Sequence, residues 1–108
     1  GDVYKRQIYK GGRRMGLLEI ASGQSVWRGM DYYDDKKVLS WKVTGNESYD
    51  GIVSGRNGHS YNVHIDKVHP RKSTCTCPFA AGRRVICKHM IALYFTVDPG
   101  AVKEFLKR

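Results

Sequence analysis

Residues 22–35 carry apolar side chains at helical spacing, and this pattern predicts an amphipathic helix. The apolar stripe consists of Val26, Trp27, Met30 and Tyr33. Ser22 or Ser25 can cap the first turn, because a serine hydroxyl accepts from the free backbone amides there. Stripes of this spacing usually pack inward, so we expect the stripe to lie in the core.

Three segments after this helix, rich in β-branched and aromatic residues and separated by turn signals, predict β-strands. They are residues 38–43, 49–54 and 59–66. The third alternates strictly: one face carries Tyr61, Val63 and Ile65, and the other carries Ser60, Asn62 and His64. This alternation predicts a half-buried antiparallel strand, with His64 facing solvent. Asn57-Gly58 is a strong hairpin signal before it, and residues 73–76 predict a further short strand at the sheet edge.

The last part of the chain predicts two helices. Residues 87–97 are apolar on nearly every side, as in a buried helix. Asp98 is a good N-cap and Pro99 a good first residue for a second helix over residues 99–107. The chain is therefore expected to be a small α+β domain with an N-terminal helix, an antiparallel β-meander and a C-terminal helix.

The 108 residues are enough for one domain with a modest core, which often needs a metal or another cross-link. No apolar run approaches the roughly 20 residues that span a bilayer, and none resembles a secretory signal. We therefore expect a cytoplasmic protein without a membrane partner. Three cysteines, an odd number, argue against a complete disulfide framework.

The N-terminus changes how the net charge of +9 is interpreted. Residues 1–7 resemble a translated sequencing adapter, and residues 10–14 resemble a translated ribosome-binding site directly before Met15. We expect residues 1–14 to be a non-native leader and residues 15–108 to be one domain, with its core at 22–97. The leader holds five cations and one acid, so the domain keeps only +5. The charged end at Arg108, without a capping signal, predicts that the natural protein continues.

All three cysteines lie within thirteen positions, in the pattern Cys75-x-Cys77, nine residues, Cys87-x-His89. Residues i and i+2 of a strand share a face, so both sulfurs of the first pair point the same way. The second pair falls at the start of a helix, whose dipole stabilises thiolates. Four such ligands in two pairs predict one structural zinc ion. We expect Phe79 and Val85 to pack under the intervening loop, with residues 82–84 at its exposed tip.

Other interpretations of the cluster are weaker. Ordinary buried cysteines do not explain the paired spacing, and redox pairs usually have two intervening residues. Four protein ligands leave no open position for a catalytic zinc, and no carboxylate lies between Asp66 and Asp98. A Cys87–His89 nucleophilic pair leaves the other two thiols unexplained, so we expect no enzyme activity. His69 remains a candidate for a substitute metal ligand or for a group that contacts a ligand from outside the site. His59 borders the hairpin turn.

The cluster resembles the SWIM zinc finger family, whose motif is C-x-C, a variable loop and C-x-H. Cys75, Cys77, Cys87 and His89 match it position by position. The similarity to bacterial stand-alone members extends over about residues 22–97, through "RGMDYY", "GHSYNVHID", "CTCPF" and "CKHMIAL". The resemblance implies a ββα zinc core that binds DNA or protein.

Six cations surround the predicted zinc site with no acid among them along the sequence. They are Lys67, Arg71, Lys72, Arg83, Arg84 and Lys88. A basic patch of this kind predicts contacts to nucleic-acid phosphates, with DNA favoured over RNA. It is equally compatible with a solvated face whose positive charge offsets the negative charge of the zinc site. The alternative function is a protein-interaction adaptor that docks near Trp27, Tyr32 or the C-terminal helix. No small-molecule substrate is expected.

Overall fold

The computed structural model describes residues 16–107, and its elements follow the predicted order. They are α1 (Leu17–Ile20), α2 (Gly23–Asp34), β1 (Val38–Val43), β2 (Ser48–Ser54), β3 (Ser60–Asp66), β4 (Thr74–Cys75), α3 (Lys88–Val97) and α4 (Pro99–Leu106). The α+β class is therefore confirmed. The expected leader, residues 1–14, and the expected start at Met15 lie outside the described residues.

The four strands form one antiparallel sheet in the order β1-β2-β3-β4. The predicted hairpin joins β2 to β3 through a short 3-10 turn, Arg56–Gly58. Asn57 and Gly58 have φ angles of 57° and 76°, in the left-handed region that Asn and Gly enter with the least strain. The sequence signal and the backbone geometry therefore agree at this hairpin.

Helix α3 is the centre of the core. It contacts all four strands and also packs against α2 and α4. Its side chains Met90, Ile91 and Leu93 are fully buried, as an apolar helix in this position requires. Val63 and Ile65 of β3 are also buried, which confirms the predicted inward face of that strand.

Helix α2 begins as predicted, because the Ser22 hydroxyl accepts from the Ser25 backbone amide at 3.1 Å. Val26 and Met30 of the predicted stripe are buried. The expectation for Trp27 is wrong, since its side chain is 57% exposed. Trp27 lies at the margin of the stripe and packs edge-on against Phe105 of α4 at a centroid distance of 4.9 Å.

Three further features differ from the sequence-based expectation. The Asp98 side chain does not cap α4, because its carboxylate accepts from Lys67 Nζ at 3.2 Å. His64 is half-buried rather than surrounded by solvent, because its register partner on β2, Asp50, bonds its Nδ1 at 2.6 Å. Helix α1 was not predicted, yet it places Leu17 in the core with 1% exposure.

A search of the described residues finds no helix with the length and apolar character needed to cross a membrane.

Gly29 sets the closest approach of α2 and α3, and replacing it tests this packing. A Cβ at position 29 would lie 2.4 Å from Ile91 Cβ and 2.9 Å from the Lys88 carbonyl oxygen. We expect Gly29→Ala to lower the free energy of unfolding by about 1–3 kcal/mol, the usual cost of overpacking. Urea titration followed by circular dichroism measures the change.

The matched control is Gly23→Ala at the first residue of the same helix, where a Cβ meets nothing within 4 Å. This control should leave stability unchanged or raise it by up to about 1 kcal/mol. Equal stability of the two variants would show that the helices are not in contact at Gly29.

Candidate metal centre

The first two cysteines lie at the edge of the sheet, where β4 pairs with β3. Val63 is the register partner of Cys75. Thr76 prolongs the pairing: its amide donates to the Asn62 carbonyl at 3.1 Å, and its hydroxyl accepts from the Asn62 amide at 3.0 Å. Cys75 and Cys77 are buried and Thr76 between them is exposed, as the strand period requires.

A tight turn follows Cys77 and sends the chain back toward α3. The amides of Ala80 and Ala81 both donate to the Cys77 carbonyl, at 3.1 and 2.8 Å. Gly82 occupies the loop tip with a φ of 72°. Val85 is partly buried against the core, as expected, but the expectation for Phe79 is wrong, since it is 50% exposed. Its ring is covered by the Arg83 side chain instead, with the guanidinium 5.3 Å from the ring centroid.

The second ligand pair lies at the start of α3. Cys87 is the N-cap residue, with extended backbone angles, and His89 follows in the first turn. The extended conformation of Cys87 changes the direction of its side chain, so that both residues of the pair reach the same point. Because the positive end of the helix dipole lies here, a thiolate at Cys87 is stabilised.

The four side chains converge in one buried cluster. Their ligand atoms all lie within 4.8 Å of one another. His89 Nδ1 lies 3.7 Å from Cys75 Sγ and 3.8 Å from Cys87 Sγ. A tetrahedral zinc ion, about 2.3 Å from sulfur and about 2.0 Å from nitrogen, sets these atoms about 3.5 Å apart. The donor set and its spacing therefore fit zinc, with Nδ1 as the inward nitrogen.

The close approach of the thiols separates their pKa values. A hydrogen bond from the Cys75 thiol lowers the pKa of Cys87, and His89 lowers it further. The same bond raises the pKa of Cys75, and burial raises the pKa of Cys77. The protein alone therefore favours one thiolate in this cluster. A bound Zn²⁺ supplies the positive charge that stabilises all three thiolates.

Two tyrosines enclose the His89 ring, which is 3% exposed. The ring centroid of Tyr61 lies 4.8 Å away, and that of Tyr32 lies 5.3 Å away in an edge-on arrangement. His89 Nε2 has no hydrogen-bond partner among the described residues, although it is buried. The outer nitrogen of a metal-binding histidine normally donates to a partner, so this atom is exceptional.

The other histidines do not join the cluster. His69 is exposed and lies 3.9 Å from an oxygen of Asp66, so the structure does not place it at the metal site. His59 is exposed beside the hairpin turn, as expected.

The six candidate cations divide into three groups. Arg71, Lys72, Arg83 and Arg84 line one surface groove of about 670 Å³, here called the knuckle groove. Lys88 lies apart, with Nζ 5.0 Å from the Tyr32 ring centroid. Lys67 has acidic neighbours that lie outside the cation segment of the sequence, because folding brings Asp98 to 3.2 Å and Glu47 to 3.4 Å from its Nζ.

Sequence reasoning missed a second cavity beside the cluster, of about 340 Å³, lined in part by Arg28, Arg56 and His89. We call it the His89 pocket. Arg28 and Arg56 are far from the cysteines in sequence, and no local spacing signal connects them. The motif "RGMDYY", one of the segments that carry the family resemblance, contains Arg28 and Tyr32, which both line this cavity.

Comparison with known proteins agrees with the site. The family model described as the SWIM zinc finger matches residues 61–98, a segment that runs from the second residue of β3 through β4 and the loop to the end of α3. No curated protein and no solved structure matches the sequence. The buried cluster and the family match together support one structural zinc ion.

Paired histidine substitutions test the ligand assignment. Freshly purified protein should contain one zinc per chain, and His89→Ala should lose it, because three donors leave the tetrahedron open. His89→Cys should retain the metal, since four cysteines also form structural zinc sites. Elemental analysis after desalting measures the stoichiometry.

His69→Ala is the matched control, because His69 lies outside the cluster. It should keep one zinc per chain and a wild-type thermal midpoint. Loss of zinc from His69→Ala, or full retention by His89→Ala, would contradict the assignment.

Proposed function

We propose that the zinc site of this chain, whose residues 61–98 match the SWIM zinc finger family model, supports a basic surface that binds nucleic-acid phosphates. In this proposal Cys75, Cys77, Cys87 and His89 are the four zinc ligands. A closed set of four protein ligands gives the ion a structural role and leaves no coordination position for a substrate. The proposed activity is therefore binding rather than catalysis, with DNA favoured over RNA.

The knuckle groove is the observation that carries this proposal. Arg71 and Lys72 belong to the 3-10 turn Pro70–Lys72, which ends three residues before Cys75. Arg83 and Arg84 come from the loop tip before Cys87. All four side chains are exposed, and no carboxylate of residues 16–107 lines the groove. Two separate segments thus contribute cations to one concave surface, which suits a phosphate backbone.

The link between metal and groove follows from chain connectivity. Each pair of cations lies three residues before a zinc ligand, Lys72 before Cys75 and Arg84 before Cys87. A metal that holds both ligands fixes both pairs relative to each other. Preorganised cations lose little conformational entropy on binding, so the metal contributes to affinity without touching the ligand.

Lys67 and Lys88 do not belong to this groove. Lys67 is compensated by Asp98 and Glu47, so its charge is already paired within the fold. Contacts made only by the groove should be mainly to phosphate, weakly dependent on base sequence and strongly dependent on salt.

Charge reversal in the groove tests the proposal. We expect Arg71→Glu/Arg84→Glu to weaken binding of a fluorescent DNA duplex by roughly tenfold or more and to reduce the slope of log affinity against log salt by about 2. Fluorescence anisotropy across a salt series measures both quantities. Arg83 is left intact because its guanidinium donates to the Phe79 carbonyl at 3.1 Å and supports the loop.

The control Lys42→Glu/Lys103→Glu changes the net charge by the same amount at two exposed positions outside the groove, one on β1 and one on α4. It should weaken binding far less. If both double variants bind alike, the effect is one of net charge and the groove is not the binding surface. Zinc content is measured in both to confirm that the fold is retained.

An exposed apolar patch favours the second candidate function, a protein-interaction adaptor. Trp27 and Leu106 are both well exposed, and Phe105, the chain neighbour of Leu106, contacts Trp27. Aromatic residues of this kind are typical anchors of protein interfaces. A purified partner that binds wild-type protein, loses affinity for Trp27→Ser and tolerates Arg71→Glu/Arg84→Glu would favour the adaptor over the first proposal.

A further inference from the structure

The His89 pocket differs in chemistry from the knuckle groove. Three segments distant in sequence supply its cations: Arg28 comes from α2, Arg56 from the hairpin turn and Lys88 from the start of α3. No carboxylate lines the pocket, and none of the three cations forms an ion pair within residues 16–107. The pocket therefore favours an anionic ligand.

The same pocket has aromatic walls. Tyr32, Tyr61 and Phe79 all line it, together with the polar side chains of Ser22, Gln24 and Ser25. Its volume of about 340 Å³ is at the small end of the range for pockets that hold organic ligands. Aromatic rings next to cations suit a ligand that is both planar and negatively charged, whereas a simple anion needs only the cations.

The buried Nε2 of His89 is a second, independent observation. His89 lines the pocket, and this nitrogen has no partner in the described part of the chain. With Nδ1 facing the sulfurs, Nε2 carries the ring proton in the neutral imidazole. An unpaired buried N–H is costly, and a ligand with a carbonyl or ring-nitrogen acceptor relieves that cost once the Tyr32 or Tyr61 ring that encloses His89 moves aside.

The pocket and the knuckle groove meet at one contact. Arg83, which lines the groove, lies over the ring of Phe79, which lines the pocket. A polymer that follows the cations of the groove therefore arrives at the aromatic wall of the pocket. This contact places the two cavities next to each other at the zinc loop.

We propose that the His89 pocket receives one unpaired base of a single-stranded nucleic acid, while the flanking phosphates contact Arg28, Arg56 and Lys88. This inference rests on the proposed function and specifies its ligand class. The bases of a duplex are paired and stacked inside the helix, so they cannot enter a pocket, whereas bases of a single strand are free to stack on aromatic side chains. An acidic peptide would satisfy the cations and leave the aromatic walls unused.

The experiment compares four fluorescent 12-residue probes by anisotropy: oligo(dT), oligo(rU), a DNA duplex, and an oligo(dT) whose central bases are replaced by abasic sites. Wild-type protein should bind oligo(dT) at least about tenfold more tightly than the duplex. Phe79→Ala should weaken oligo(dT) binding by about 5- to 150-fold, the effect of losing one stacked base, and change duplex binding by less than about twofold. The oligo(rU) probe shows whether the pocket distinguishes RNA from DNA.

The abasic probe supplies a double-mutant cycle. Base removal and Phe79→Ala should each weaken binding, and the two together should cost no more than either alone, because both remove the same contact. Trp41→Ala is the matched control: it removes an aromatic residue of similar exposure, 45%, on β1 at the other edge of the sheet. It should not change the preference for single strands.

The outcomes separate this inference from the proposed function. If Arg71→Glu/Arg84→Glu weakens all probes, but single strand and duplex bind alike and Phe79→Ala has no effect, the groove proposal stands and the pocket proposal is wrong. If polyglutamate of equal charge displaces oligo(dT) equally from wild type and Phe79→Ala, the surface recognises charge alone and the pocket proposal is also wrong. If no probe binds, both proposals fail.

Discussion

The rest of the structure depends on the convergence of three sulfurs and one imidazole at a point between the sheet edge and a helix start. Strand β4 has only two residues, and the loop after it contains no helix or strand before α3 begins. The metal that such a cluster holds links this weak edge to α3, the most buried helix of the described chain. Since structural zinc commonly contributes on the order of 10 kcal/mol to folding, this link is large compared with the stability of a small domain.

The metal site and the apolar core are one structure rather than two. His89 is held by Tyr32 from α2 and by Tyr61 from β3, so both layers that pack on α3 also fix a zinc ligand. Helix α2 can approach this closely because Gly29 has no side chain against Ile91. Packing and metal binding are therefore expected to be coupled, because a shift of α2 displaces the wall of the metal site.

The positive charge around the cluster has two physical roles. Three thiolates with one Zn²⁺ carry a net charge of −1, which nearby arginines and lysines offset. The cations that line the knuckle groove are exposed and form no ion pair with a carboxylate of the described chain, so they also remain available to an external anion. Lys67 shows the contrast: it is bound by Asp98 and Glu47 and stabilises the fold instead.

The sequence by itself determined the element order, the hairpin at Asn57-Gly58 and the spacing of the four ligands. These depend on local rules: helical and strand periods, left-handed turn residues and short ligand spacings, all of which act within a few residues. Only the tertiary structure decided which cations are free, that Trp27 and Phe79 are exposed, and that Arg28 and Arg56 border His89. Those features depend on contacts between segments far apart in the chain. The packing of α2 on α3 and the path of the zinc loop set the distances between these segments, and no local sequence pattern encodes the packing or the path.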